Sequence, residues 1–78
     1  MDDKQIEQAL FDERMRTYHR MEEIRGILKE DKVGADIWAS LIKEFCECDD
    51  LNRVCWRELD CFNNTGHWVG EHPLTRES

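Results

Sequence analysis

From Trp38 to Phe62 one series of side chains returns at alternating spacings of three and four residues: Trp38, Leu41, Phe45, Cys48, Asn52, Cys55, Leu59 and Phe62. On a 3.6-residue helix that spacing draws a single seam down one side, and a seam must be covered by another helix. No Pro interrupts it, the chain's only Pro being Pro73. The pair Asp49–Asp50 is the one place where a break, with a third helix starting at Leu51, is an alternative. The phase of the seam is the same on both sides of that pair, which a continuous helix over residues 36–63 requires.

Residues 3–30 contain no Pro and one Gly. Ile6, Leu10, Thr17, Met21, Ile24 and Leu28 share a stripe, and Phe11, Met15 and Tyr18 form a second apolar band beside it. The stretch KEDKVGAD (29–36) reads as a turn, with Gly34 free to take a positive φ and Asp36 suited to cap the next helix. The expected fold is all-α: a long antiparallel hairpin of helices 3–30 and 36–63, forming one domain over residues 1–63, with an irregular tail over 64–78. Ile37, Ile42, Leu51 and Trp56 widen the second apolar face beyond what one partner helix covers. Pairing of two hairpins into a four-helix bundle, as a homodimer, answers that excess. A compact three-helix bundle broken at Asp49–Asp50 is the alternative. Asn52, polar within the seam, either specifies register and partner number or marks a frayed seam.

A chain of 78 residues with 37% charged side chains and one Pro suits a small helical domain. No apolar run is long enough to span a membrane. The start, MDDKQIEQALFDER, is acidic and amphipathic, unlike a secretion signal, so a cytoplasmic setting is expected. The net charge of −7 disfavours nucleic acid as a partner. Residues 33–50 hold five acids against one base. Within them Glu44, Glu47, Asp49 and Asp50 are either a solvated face or a docking patch for a basic partner.

Cys46, Cys48, Cys55 and Cys61 with His67 and His72 give C-x-C-x6-C-x5-C-x5-H-x4-H. Cys46 and Cys48 point apart on a helix, and Cys48 and Cys55 are too distant along it to share an ion. The thiols therefore read as small buried hydrophobes in a reducing compartment, with no cofactor and no metal expected. Were zinc bound, Cys61, His67 and His72 would be the group the chain could bring together. No motif for catalysis is present, and no catalytic residue is assigned. Glu58, at the edge of the apolar arc, is expected to pair with Arg14 or Arg25.

The segment FNNTGHWVGEHPL (62–74) concentrates irregular residues behind the helix. Gly66 suits the left-handed position that ends a helix, and Trp68 is the natural anchor for a tail folding back over the bundle. Gly70 and Pro73 suit an extended path. We expect Trp68 largely buried, with His67 and the segment from Glu71 to Leu74 exposed. WRELDCFNNTGHWVGEHPL (56–74) resembles the C-terminal ends of small helical proteins of bacterial and phage genomes, where a helix ending in an aromatic runs into a TG turn and a G-x-HP segment. The resemblance covers a quarter of the chain. It implies a bacterial or phage setting and a shared tail conformation, but no substrate.

The reading that follows is a non-enzymatic protein-interaction module, in concrete form a small phage or mobile-element regulator or inhibitor of a host protein. Trp68, His67 and His72 with Glu44, Glu47, Asp49 and Asp50 are its candidate contact residues. The alternative is an oligomer binding an anionic or nucleotide-like ligand through Arg14, Arg16, Arg20 and Arg25. A zinc-stabilised module is the third.

Overall fold

The structure, a computed structural model, describes residues 1–30 and 32–76. Asp31 of the turn and the last two residues of the tail lie outside them. Helix α1 spans Asp3–Glu30, α2 spans Ala35–Thr65 and a short α3 spans Pro73–Arg76. The two long helices pack side by side in an elongated body, 46 × 19 × 17 Å. No strand occurs among the described residues, and no helix among them is long and apolar enough to cross a membrane.

The start of α1 and the end of α2 have identifiable reasons. At the start of α1 the Gln5 amide donates to Asp2 Oδ1 (2.8 Å) and the Asp2 amide donates to Gln5 Oε1 (3.0 Å). That reciprocal pair satisfies two donors the helix cannot use itself. Helix α2 starts on Gly34, which has φ −67° rather than a positive value and provides no side-chain cap. Asp36, expected as the cap, instead lies inside the first turn, where a negative charge suits the helix dipole. Helix α2 then runs unbroken through Asp49–Asp50, so the three-helix alternative does not hold. It ends as expected on Gly66, at φ 76°, whose amide donates to the Phe62 carbonyl (2.8 Å).

The core follows the stripes. Ile6, Leu10, Cys55 and Leu59 form the central cluster, with Leu51, Trp68 and Leu74 packed against it. Met21, Ile24 and Cys48 continue the buried row toward the turn. Beyond them, from residue 25 to residue 47, no described side chain is buried. The hairpin is therefore well filled at its open end and thin at its turn.

Within the seam, Asn52 is not frayed. Its Nδ2 donates to the Arg14 carbonyl (2.9 Å) and to Thr17 Oγ1 (3.1 Å), while Thr17 Oγ1 donates to the same carbonyl (2.9 Å). A half-buried amide tied to one level of the facing helix fixes the register of the hairpin itself. Asn52→Ala should cost about 1–2 kcal/mol, because Thr17 keeps its own bond while two amide bonds vanish. A urea titration reads this as a lowered midpoint at unchanged slope. An unchanged midpoint would show that apolar packing alone sets the register.

Candidate functional site

The two sides of the hairpin differ. One is closed by the C-terminal segment, and what closes it is Glu58. Helix α2 carries this side chain beside Leu59, and it is 0% exposed. Gly66 turns the chain back, and Gly70, at φ 91°, bends it so that successive amides face one point. Glu58 Oε1 accepts from the Val69 amide (2.7 Å). Its Oε2 accepts from Gly70 (3.0 Å), Glu71 (2.7 Å), His72 (3.0 Å) and Thr75 Oγ1 (2.6 Å). Such a run of N–H groups is an anion nest, here filled by the chain's own carboxylate. Burial pushes the Glu58 carboxyl up, but the bonds from Thr75 and from the amides of His72, Gly70 and Val69 outweigh it and hold it below its ordinary value.

The expected pairing of Glu58 with an arginine is thereby corrected. Arg25 bonds Glu22 instead (3.0 Å), and the charge on Glu58 is met by backbone dipoles. A carboxylate held ionised at neutral pH by five donors serves structure rather than proton transfer.

Next to this cradle lies a second polar cluster. His72 is 6% exposed, where the sequence reading placed it on an open tail. Its Nδ1 accepts from the Leu74 amide (3.1 Å), which puts the proton of the neutral ring on Nε2, 2.8 Å from Glu13 Oε2. Through that bond with Leu74, His72 caps α3, which begins on Pro73 as helices favour. The tail is thus partly helical rather than extended. Cys55 Sγ donates to the same Glu13 oxygen (3.8 Å).

Glu13, Cys55 and His72 bring ligand atoms within 4.8 Å of one another, a spacing an ion could bridge. Their chemistry fits protons better. A metal-bound histidine ordinarily donates its second N–H to an acceptor, whereas here the second nitrogen must accept from Leu74. Burial, together with the charge and hydrogen bond of Glu13, pushes the Cys55 thiol up to about 11. The thiol thus stays protonated at neutral pH and faces a carboxylate rather than an imidazole, so no nucleophile–base pair is formed. Cys61, His67 and His72 do not converge. Cys61 Sγ meets Thr65 Oγ1 (3.6 Å), His67 is exposed past the end of α2, and His72 is turned to Glu13.

Trp68 anchors the tail as expected, though it is half-buried rather than enclosed. Its ring stacks on Phe62 at 4.1 Å between centroids and 8° between planes, and its Nε1 donates to Asp3 Oδ1 (3.2 Å). The acidic group of α2 is partly neutralised within the chain. Glu44 accepts from Arg20 through both oxygens (2.6 and 3.0 Å), which holds its carboxyl below the ordinary value. Asp49 pairs with Arg53 (3.1 Å), while Glu47 and Asp50 are exposed.

The four arginines of α1 do not build a pocket. Arg16 pairs with Glu13 (3.7 Å), Arg20 with Glu44 and Glu23, and Arg25 with Glu22. Arg16 and Arg20 lie on the closed side, Arg14 and Arg25 on the other. Arg14 alone among them makes no ion pair among the described residues.

That other side is open. At 100° per residue Phe11, Arg14, Tyr18, Arg25 and Lys29 fall within about 60° on α1, and Trp38, Ile42, Phe45, Asn52, Trp56 and Asp60 within about 80° on α2. Grooves along this face join Phe11 to Trp56, Tyr18 to Asn52, and Leu28 to Ile42 and Phe45. Five of the eight large apolar side chains left exposed belong to it: Phe11, Met15, Tyr18, Trp38 and Trp56. The second apolar band of α1 and the flanking Trp56 were its signal in the sequence. Comparison with known protein families, with curated proteins and with solved structures finds no match for this chain.

Proposed function

We propose that this chain is a non-enzymatic protein-interaction module and that it binds through the open face of the hairpin. One observation carries the reading: Phe11 (49%), Tyr18 (50%) and Trp56 (46%) stand half-exposed on one side. Aromatic side chains grouped with an arginine are what the centres of protein interfaces favour. Contiguous apolar surface of this kind on a small domain marks a contact site. The polar clusters of the opposite side are satisfied internally, with no buried side-chain N or O left unpartnered among the described residues. The ligand-binding alternative loses its support with three of the four arginines paired and the four divided between two sides. A small regulator or inhibitor covering part of a host protein is the concrete form of the proposal.

The test is a comparison of tagged wild-type chain with Phe11→Ala and Trp56→Ala in capture from the cells that make it. Because both side chains are about half exposed, each substitution should leave the melting temperature within a few degrees. A protein retained by wild type and lost with both variants is the expected result. Equal capture by all three would remove the open face from the function.

A further inference from the structure

The open face has a pattern beyond its apolar character: its two ends carry opposite charge. At the open end of the hairpin the groove around Phe11 and Trp56 is rimmed by Glu7 and Asp60. At the turn end the groove around Leu28, Ile42 and Phe45 is rimmed by Arg25 and Lys29. The turn end, from residue 25 to residue 47, is also the part of the hairpin in which no described side chain is buried.

We propose that the occupant of this face is a second copy of the same chain, laid antiparallel across it about a two-fold axis near Tyr18 and Asn52. This rests on the reading of the open face as the contact surface. In that arrangement Glu7 and Asp60 of each copy face Arg25 and Lys29 of the other, twice over. Phe11 and Trp56 fill the partner's groove at Ile42 and Phe45, and the well-packed end of one hairpin covers the thin end of the other. The result is a four-helix bundle with an isologous interface. A standard stable interface takes roughly 800 Å² from each partner, and a face 46 Å long and 19 Å wide has that room. Two chains of net charge −7 repel at long range. Apolar contact must therefore supply the affinity, while the end-to-end charge pairs select the antiparallel orientation.

Light scattering at tens of micromolar should give about twice the chain mass of 9.4 kDa. The variants Arg25→Glu/Lys29→Glu and Glu7→Lys/Asp60→Lys should each weaken self-association on the order of tenfold or more, and an equimolar mixture should restore the dimer. A zero-length carbodiimide cross-link between Lys29 and Asp60 or Glu7 supplies a readout on the unaltered chain. Those residues sit at opposite ends of one hairpin, so such a link can form only between copies. A monomeric wild type, or a dimer indifferent to both charge reversals and free of that link, overturns the second copy as occupant. The capture test is read by the mass of the retained protein. A different protein lost with both variants upholds the module even for a monomeric chain. Retention of further copies of this chain alone upholds only the self-pairing, so the two readings fail separately.

Discussion

Glu58→Ala should cost about 3–5 kcal/mol at neutral pH, the largest effect of any single substitution in this chain. Four backbone N–H groups and the Thr75 hydroxyl converge on this carboxylate, and Ala offers them nothing. Removing one partner from a buried polar network costs the desolvation of every group left behind. A domain of this length has on the order of 5–10 kcal/mol in total, so a large part of its stability is lost. Glu58→Gln, which keeps one acceptor oxygen but places an amide among donors, should fall between wild type and Ala.

The pH dependence has a definite sign. The folded Glu58 carboxyl titrates below its ordinary value, so its contribution is complete above the unfolded value of about 4.3. It is lost as the pH falls through the lower, folded value. Protection of the amides of residues 69–72 from hydrogen exchange, taken relative to the intrinsic rate at each pH, should therefore hold from pH 7 to pH 5 and be lost as the pH falls through the lowered Glu58 value. Glu44 shifts in the same direction but on the surface, so the Glu58→Gln variant isolates the part that belongs to the tail. Amides that remain protected in Glu58→Ala would show that packing, not the carboxylate, holds the segment down.

Trp68→Ala should cost about 2–3 kcal/mol, somewhat less than a fully enclosed aromatic because Trp68 is half-buried. The loss has three parts: the face-to-face stack on Phe62, the bond to Asp3, and cover over Ile6, Leu10 and Leu59. For a domain this small that is a fall of roughly 10–20 °C in melting temperature. Trp68→Phe keeps the stack and gives up only the indole bond to an exposed acid, so it should lose about 1 kcal/mol or less. The double variant Glu58→Ala/Trp68→Ala should cost less than the sum of the two, since releasing the cradle already frees the ring. Additive costs would mean that the two contacts hold the tail independently.

The hairpin was legible because its determinants are periodic. The seam from Trp38 to Phe62 keeps one phase across Asp49–Asp50, and the helix does the same. Gly66 stood out because a left-handed residue after a long helix has few alternatives. The pair Asp2 and Gln5 stands at capping-box spacing, a local signal at the start of α1 that has no part in the apolar stripes. The polar side of the molecule was legible only in part. Glu58 looked like an acid in search of a base, since a sequence displays side chains and not the amides of a loop folded beside them. Gly70 was the one hint that those amides converge. His72 was hidden for a related reason: its place depends on Glu13, 59 positions away, and on a four-residue helix too short to have a period.

The C-terminal segment also sets the order in which the molecule can come into being. The central cluster joins Ile6 and Leu10 of α1 to a cover supplied by Trp68 and Leu74, which are made only after both long helices. Trp68 bonds to Asp3 across a separation of 65 residues. A chain emerging from the ribosome can coil both long helices early, yet the donors that meet Glu58 arrive only with the segment from Val69 to Thr75. Until then an acid with no counter-dipole and an uncovered apolar cluster sit together on the nascent hairpin. Completion of the fold is thus tied to completion of the segment through Thr75, and a chain arrested before Val69 presents both defects at one place.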